Sequence, residues 1–474
     1  MTTAYRLWEI QERSNTGPQM DEDDFLPKLF TPKLQEIIKK YEIKCDNSNP
    51  VPVDDEMSDR IWKAGWELFR EVGLYNTDTH RIIKVTDDEI KEALYMAKGQ
   101  YWVGAGKDAV LWKHREVEDK EPPFCIYSGD ATCDEDLHYS QCLAYLKEPL
   151  LDGFCAPILE DSMGQKIRSA GPTEINGCTQ HIYNLRLAAK QTGRPGTFFV
   201  AVGTAEHDSG QIAVSNNEWG VRTTDTRILG TLTEFKTADT LLNRVVHCAQ
   251  YGCFTGNLTG PIYGGWCGGS EGVAVSLVAY SLSGLCIHGA IFNQHFPFHL
   301  NWGSNTTREL LWPISMAGQA MARNSRLLYT SNGFANAGPM TEMLFYETAC
   351  HALVSTVSGW HLWEMASTRN KYRNRATPME ARMGAEVGHA VARQGMTREK
   401  ANEIANKLLA KYEDQAATAP KGSQYQECYD VAKSIPTPEH LDMFNKVKAL
   451  YHTGAKLWLG TGFQINNTSR FGKV

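Results

Sequence analysis

The sequence predicts an α/β protein organised as a (β/α)₈, or TIM, barrel with helical extensions at both ends. From Asp152 onward, short β-rich apolar runs that end in Gly, Asn or Pro alternate with segments of helical period. No G-x-G-x-x-G or Walker pattern follows the first of these strands, which argues against a doubly wound nucleotide-binding sheet. A chain of 474 residues, 42% of them hydrophobic, can bury such a core.

Three regions follow one another along the chain. Residues 1–100 are charged and helix-patterned and predict an N-terminal helical extension, in which TDDE at Thr86–Glu89 is typical of a capping box. Residues 101–396 are assigned to the barrel, and residues 397–474 to a charged helical extension packed on it. Because no low-complexity linker separates these regions, we expect one large domain.

Five apolar runs predict buried parallel strands: LLDGFCAPILE, GTFFVAVGT, FTGNLTGPIYGG, GLCIHGAIF and RLLYTSNGFANAGP. Five further segments have helical period and Gly or Asn stops: HIYNLRLAAKQTG, DTLLNRVVHCAQYG, SEGVAVSLVAYSLS, TRELLWPISMAGQAMARN and TEMLFYETACHALVSTVSG. Gly193–Ala201 is predicted to be one barrel strand. In a barrel of this kind the chemistry lies at the carboxyl ends of the strands.

Charge and cysteine usage limit the function classes. A net charge of −7 offers no concentrated basic face for nucleic acid or an anionic membrane. No membrane-length apolar run and no secretory signal are visible, so a cytoplasmic protein that acts on small molecules or proteins is expected. The 12 cysteines include no C-x-x-C pair and are interpreted as buried hydrophobic residues. A zinc site of His247, Cys248 and Cys267 is an alternative, but its spacing is not a recognisable zinc pattern and no metal is assigned.

Aromatic residues follow several of the predicted strands and are expected to meet at the barrel mouth. They are Trp266, Phe296, Trp302 and Phe334. Rings in successive loops after different strands are harder to attribute to core packing than a single apolar stripe.

Several long motifs identify a family resemblance. GLYNTDTHRIIKVTDDEI, GKDAV, GRPG, PIYGGWCGG, HLNWGSNTTRE, AGPMTEM, MEARMGAEVG and ATAPKGSQYQECYD occur in register between Met57 and Val431. Together they resemble the corrinoid-dependent monomethylamine methyltransferases of methanogenic archaea. The resemblance implies a TIM barrel that forms a homo-oligomer. It also implies transfer of a methyl group from a small methylated amine to the cobalt of a corrinoid (cobalamin) carried by a separate partner protein.

The resemblance further implies that a catalytic residue is missing. In that family the strand after GRPG ends in pyrrolysine, whose electrophilic imine ring holds the amine, whereas Val200 or Ala201 stands at that place here. Family members surround the ring with acidic and hydrogen-bonding side chains, and the matching positions here are Ile228, Leu258, Asn332 and Phe334. Loss of two carboxylates together with the ring is physically coherent, because buried carboxylates without a partner are costly.

A site without pyrrolysine needs a methyl donor that is already activated. A quaternary ammonium meets this need, since it departs as a neutral tertiary amine, and aromatic faces can bind it. Glu206 is the candidate for orienting the cationic head, His299 for a hydrogen bond to the substrate or the corrinoid, and Arg308 for a substrate carboxylate. The alternatives are structural: a loop cap for Glu206, a loop contact for His299, and an ion pair with Glu309 or Glu342 for Arg308.

Three other functions remain open at this point. One is demethylation of a methoxy or methylthio compound, in which Glu206 would protonate the leaving group. Another is a non-catalytic homologue that retains only corrinoid-protein docking or ligand binding. The third is a zinc-dependent methyltransferase, which metal analysis of the purified protein would identify.

Overall fold

The computed structural model describes residues 4–129 and 131–453. Within them one sheet contains eight parallel strands: β1 (Cys125–Ser128), β2 (Gly153–Cys155), β3 (Phe198–Ala201), β4 (Thr226–Gly230), β5 (Phe254–Thr259), β6 (Phe292–His295), β7 (Leu328–Phe334) and β8 (His361–Ala366). The order across the sheet is β3-β2-β1-β8-β7-β6-β5-β4. The two end strands, β3 and β4, approach each other, because the Thr226 hydroxyl donates to the Val200 carbonyl at 2.5 Å and the Phe199 amide donates to Asp225 Oδ1 at 3.0 Å.

A helix follows every barrel strand: α1 (Glu135–Leu146), α2 (Pro172–Gln191), α3 (Asp208–Ala213), α4 (Asp239–Tyr251), α5 (Ser270–Cys286), α6 (Arg308–Asn324), α7 (Glu342–Val357) and α8 (Pro378–Arg393). This alternation confirms the predicted (β/α)₈ barrel. The barrel interior is packed by a cluster of buried apolar residues that includes Phe198, Val200 and Phe292. A second, larger cluster fills the space between strands and helices.

The N-terminal region is a helical layer joined to the barrel by a small sheet. Its helices are Ala4–Thr16, Glu22–Asp24, Phe25–Phe30 (a π-helix), Thr31–Lys40, Asp55–Val72 and Asp87–Met96. Leu74–Asn76 pairs antiparallel with Arg81–Ile83 and parallel with Lys236–Thr237, which lies between β4 and α4. Thr86 and Glu89 form the predicted capping box.

Short elements complete the barrel. The hairpin of Gln100–Val103 and Val110–Lys113 precedes β1, and its Trp112 ring packs 4.8 Å from Phe292 inside the barrel. Other short pairs are Thr132–Cys133 with Ile158–Leu159, Asp161–Ser162 with Gln165–Lys166, and Ile262–Tyr263 with Phe298–His299. Short 3₁₀ turns occupy Gly106–Asp108 and Ser367–Asn370.

The C-terminal region contains the helices Arg398–Leu409, Tyr425–Cys428 and Pro438–Thr453, a 3₁₀ helix at Glu413–Thr418, and the strand pair of Tyr429–Asp430 and Ile435–Pro436. The remainder of the predicted extension, residues 454–474, lies outside the described residues. Within the described ranges, every helix is too short or too polar to cross a membrane.

Two of the strand predictions need correction. In GLCIHGAIF the residues GLC end helix α5, and the strand begins only at Phe292, because the apolar face of α5 continues to Cys286 against the barrel. In the segment predicted at 193–201 the strand itself is Phe198–Ala201, and Gly193 lies in a turn with φ of 72°.

Candidate functional site

A cavity of about 470 Å³ lies at the carboxyl ends of the barrel strands. Its lining comes from β2 to β8 and the segments that follow them: Cys155, Ile158, Val202, Gly203, Ala205, Gln211, Ile228, Gly230, Arg244, Leu258, Gln294, Phe296, Asn332, Phe334, Trp363, Arg369 and Asn370. This is the end of a TIM barrel at which reactions take place. The volume suits a small organic ligand.

Five residues predicted from the sequence meet in this cavity: Ile228, Leu258, Phe296, Asn332 and Phe334. They belong to or follow four different strands, β4 to β7, and are separated by as many as 106 positions in the chain. The four positions inferred from the family resemblance are all among them. The structure therefore brings together residues that only the barrel topology can make neighbours.

Two phenylalanine rings form an aromatic wall. The ring centroids of Phe296 and Phe334 are 5.2 Å apart with an interplanar angle of 22°, and Phe298 stacks on Phe296 from 6.0 Å. Gly260 permits this arrangement, because a Cβ at that position would lie 2.6 Å from the Phe296 ring. Trp363 of β8 adds a third ring to the cavity lining.

A buried asparagine fixes the end of β7. Asn305 Nδ2 donates to the Asn332 carbonyl at 2.7 Å, and its Oδ1 accepts from the Phe334 amide at 2.7 Å. The Asn305 amide in turn donates to the Phe334 carbonyl at 3.0 Å. These bonds set the position of both lining residues, since a fully bonded buried side chain is costly to displace.

Val200, which the sequence analysis selected for substrate binding, is not among the described lining residues of the cavity. The Val200 side chain is fully buried in the barrel interior, and the side chain of Ala201 lies outside the described part of the chain. Val202, which the sequence analysis did not select, lines the cavity beside Ile228 and Leu258. Val202, Ile228 and Leu258 therefore form an aliphatic wall of the cavity, separate from the aromatic wall.

Arg244 on α4 is a cavity residue that the sequence analysis missed. It is only 6% exposed, and one terminal guanidinium nitrogen donates to the backbone carbonyl of Glu206. Its Nε is buried and has no hydrogen-bond partner among the described residues. Burial lowers the pKa of Arg244 from its ordinary value, while the nearby Asp208 and Glu174 carboxylates act in the opposite direction.

A second missed cation, Arg369, follows β8. Thr368, Arg369 and Asn370 have φ angles of 48°, 60° and 54°, a left-handed run that side-chain-bearing residues rarely adopt. The Arg369 amide donates to the Ala335 carbonyl at 2.8 Å, and Nη2 donates to the Ala416 carbonyl at 2.8 Å. Backbone strain of this kind is characteristic of functional sites.

The cavity has no acidic side chain among its described lining residues, and none of these residues is Lys or His. The polar side-chain groups besides the two arginines are the amides of Gln211, Gln294, Asn332 and Asn370, the Cys155 thiol and the Trp363 indole N–H. The described lining consequently offers aromatic faces, amide dipoles and two positive charges, but no carboxylic acid, ammonium or imidazole that would donate a proton near neutral pH.

The three predicted polar residues lie away from this lining. The Glu206 side chain is exposed, and it is the backbone carbonyl that contacts Arg244. The His299 ring lies 4.9 Å from Tyr263 and 5.2 Å from Trp302, and burial lowers its pKa. The Arg308 guanidinium forms an ion pair with Glu413 at 2.7 Å. Arg308 therefore forms a structural ion pair, with Glu413 rather than with Glu309 or Glu342 as expected from the sequence.

The predicted tryptophans belong to the rim. Trp266 is 47% exposed, and its backbone carbonyl accepts from the Thr31 hydroxyl at 3.1 Å. Trp302 stacks on His299, and the neighbouring Leu300 is 57% exposed. The loop that carries His299 and Trp302 follows Phe298, which stacks on the cavity residue Phe296.

Two of the three zinc candidates, His247 and Cys267, have hydrogen-bond partners far apart in the chain. His247 Nε2 lies 2.7 Å from the Ser215 hydroxyl, and the Cys267 thiol donates to the Ser276 hydroxyl at 3.4 Å. In the described part of the chain, no group of three His, Cys, Asp or Glu residues has a geometry that would hold a metal ion.

Fold and cavity together define a TIM-barrel enzyme with an aromatic-lined site at the carboxyl ends of its strands. Residues 5–454 match the family described as monomethylamine methyltransferase MtmB. The MtmB2 monomethylamine methyltransferase of Methanosarcina barkeri (strain Fusaro) and its MtmB1 counterpart of Methanosarcina acetivorans are each 29% identical to the chain. Each alignment covers 93% of this chain and 96% of the relative. The chain belongs to the MtmB monomethylamine methyltransferase family, and as a member it is a methyltransferase-like enzyme.

The solved structures agree with this assignment. The crystal structure of the Methanosarcina barkeri monomethylamine methyltransferase superposes with a TM-score of 0.91 at 28% identity, covering 94% of this chain and 97% of that one. The crystal structure of a hydroxylamine complex of MtmB gives the same values.

Proposed function

We propose that the protein is a pyrrolysine-independent methyltransferase that moves a methyl group from a small quaternary amine to the Co(I) corrinoid of a separate partner protein. The observation that carries the proposal is the composition of the cavity. Phe296, Phe334 and Trp363 supply ring faces, and the described lining includes no Asp, Glu, His or Lys. A donor that needs no protonation fits such a lining.

The chemistry follows from the leaving group. The Co(I) acceptor supplies the electron pair for the new cobalt–carbon bond, and the pair of the broken carbon–nitrogen bond remains on nitrogen. A quaternary ammonium thereby leaves as a neutral tertiary amine without a proton. Monomethylamine would leave as a strongly basic anion unless it were first activated, and the described lining residues offer no such group.

The task of the chain is to hold the donor in line and to exclude water. Phe296 and Phe334 present stacked faces whose quadrupoles attract a cation that has lost its hydration shell. Ile228, Leu258 and Val202 supply the apolar remainder of the lining. Bringing donor and acceptor into one orientation lowers the entropic part of the barrier.

The rim supports docking of the corrinoid protein. Leu300 is 57% exposed in the loop of His299 and Trp302, which follows the ring pair of Phe296 and Phe298, and Trp266 is 47% exposed in the loop after β5. Exposed apolar side chains grouped in this way are typical of interaction surfaces. The roles proposed for His299 and Trp302 therefore concern contact with the partner, and Glu206, exposed next to α3, belongs to the same face. A cytoplasmic homo-oligomer remains part of the proposal.

A methoxy or methylthio donor is the second candidate. Its leaving group requires an acid, and Glu206, which was proposed for this role, is exposed and absent from the cavity lining. The amide-rich wall can bind such a neutral compound, but the three rings would then lack a cation to bind. The quaternary donor therefore accounts for more of the lining.

The experiment is a methyl-transfer assay with the purified protein, a reduced corrinoid protein, and equal concentrations of a quaternary amine, a methoxy compound and a methylthio compound. Loss of the Co(I) absorption with the quaternary amine alone supports the proposal. Transfer from either neutral donor with none from the quaternary amine would reject it. An intact mass equal to that of the printed sequence, near 53.0 kDa, establishes that no modified residue is present.

A further inference from the structure

The cavity contains an electrostatic conflict for a simple cation. Arg244 and Arg369 both line it, and no described lining residue carries a negative charge. Among the described residues neither guanidinium forms an ion pair: Arg244 donates to the Glu206 carbonyl and Arg369 to the Ala416 carbonyl. Like charges in a poorly hydrated space repel strongly. A bare tetraalkylammonium ion would therefore be opposed by the same site whose rings attract it.

We propose that the methyl donor is a zwitterion whose carboxylate binds Arg244 while its quaternary ammonium lies against Phe296 and Phe334. This inference rests on the proposed function and specifies its substrate class. The carboxylate neutralises a buried guanidinium, and the ammonium takes the aromatic wall. Arg308, the carboxylate partner expected from the sequence, is paired with Glu413 and does not line the cavity.

Arg244 has the geometry of an anion-binding residue. It is 6% exposed, one terminal nitrogen is held by the Glu206 carbonyl, and Nε has no partner among the described residues. The two nearby carboxylates are already engaged by other groups. Asn243 Nδ2 donates to Asp208 at 2.6 Å, and the backbone amides of His207 and Ala170 each donate to Glu174 at 2.7 Å. A buried guanidinium that has no ion pair among the described residues is suited to binding a carboxylate.

The barrel topology sets the shape of the donor. Arg244 stands on α4, after β4, whereas Phe296 follows β6 and Phe334 ends β7. In the sheet order β5 lies between β4 and β6, and β6 separates β5 from β7. The positive residue and the stacked rings thus belong to different walls of the cavity, so carboxylate and ammonium should be joined by a spacer of several atoms rather than by a single methylene.

Binding calorimetry with three related probes tests the inference. They are γ-butyrobetaine, in which three methylenes join the two charges, butyltrimethylammonium, which lacks the carboxylate, and the analogue of γ-butyrobetaine in which carbon replaces nitrogen. The variants are Arg244→Gln and Arg244→Lys. Arg323→Gln is the matched control, because Arg323 pairs with Asp55 and Asp59 on the outer surface.

The wild type should bind γ-butyrobetaine more tightly than either analogue. Arg244→Gln should weaken its binding roughly 10- to 100-fold and leave butyltrimethylammonium unchanged or tighter. Arg244→Lys should bind γ-butyrobetaine with an affinity between those of the wild type and Arg244→Gln, since lysine keeps the positive charge and loses the planar guanidinium. Arg323→Gln should match the wild type for every probe, and thermal unfolding of each variant checks that it is folded.

The outcomes separate the two proposals. Suppose that butyltrimethylammonium binds as tightly as γ-butyrobetaine, and that neither affinity changes in folded Arg244→Lys or Arg244→Gln. The assignment of Arg244 as the carboxylate-binding residue is then wrong, although the quaternary-amine function stands. If the carbon analogue binds as tightly as γ-butyrobetaine and both weaken in Arg244→Gln, the anion site stands and the quaternary-amine function is wrong.

Discussion

Replacement of Phe334 by Leu tests whether the aromatic wall binds positive charge or only shapes the cavity. Phe334 stacks on Phe296 with ring centroids 5.2 Å apart, and both residues line the cavity. One ring face contributes roughly 0.5–2 kcal/mol to binding of a quaternary ammonium, which corresponds to a roughly 2- to 30-fold change in Kd. Leucine keeps an apolar side chain and removes only the quadrupole, so a neutral ligand of the same shape should lose much less.

The assay is calorimetric titration of wild type and Phe334→Leu with a quaternary amine and with its isostere in which carbon replaces nitrogen. Trp266→Leu is the comparison variant, because Trp266 is 47% exposed and does not line the cavity. We expect Phe334→Leu to weaken the charged ligand selectively and Trp266→Leu to leave both affinities unchanged. Equal losses for the charged and neutral ligands in Phe334→Leu would refute the cation-binding argument and leave the rings a purely steric role.

Two further predictions concern the support of the site. Gly260→Ala should place a Cβ about 2.6 Å from the Phe296 ring and displace that ring from Phe334, so the affinity for a quaternary amine should fall. Gly260→Ser should lower the affinity at least as much. Unchanged affinity in both variants, measured by calorimetric titration, would contradict the assigned contact. Burial raises the pKa of Glu234 from 4.5 to about 7. The folded state therefore holds its proton while the unfolded state releases it, and stability should fall as pH rises through this window and then level off. Glu234→Gln should remove this contribution to the pH dependence of the free energy of unfolding, which is worth up to about 3 kcal/mol. Denaturant titrations of wild type and variant near pH 5 and near pH 8 measure it. The same change in stability between the two pH values in both proteins would contradict the prediction.

Five of the eight barrel strands were predicted from apolar runs, whereas β1, β4 and β8 were missed, two of them because buried polar residues interrupt the pattern. β4 contains the fully buried Arg227, and β8 contains His361 and Glu364 at 4% and 0% exposure. Such residues are normally exposed, so an apolar-run criterion passes over both strands. The parallel ladder that buries β8 between β1 and β7 is a property of the closed sheet and cannot be seen in the local sequence.

The candidate site was also predicted only in part from the sequence. Ile228, Leu258, Asn332 and Phe334 were selected through family motifs and lie in the cavity. Arg244 was missed because it occupies the second turn of α4, where a lone arginine in an amphipathic helix reads as a surface residue. Glu206 was selected because it follows β3, but only its backbone carbonyl is directed to a cavity residue. Which side chains enter a cavity depends on helix rotation and loop path, and these are set by tertiary packing.

The measurement that tests the central claim most directly is methyl transfer to a corrinoid protein held in the Co(I) state, followed by the loss of Co(I) absorption. Purified protein is supplied with either γ-butyrobetaine or monomethylamine at the same concentration. The account predicts transfer from the quaternary donor and little or none from monomethylamine, because the described cavity lining offers rings and guanidinium groups but no residue that would activate a primary amine. Robust transfer from monomethylamine, with none from γ-butyrobetaine, would contradict it.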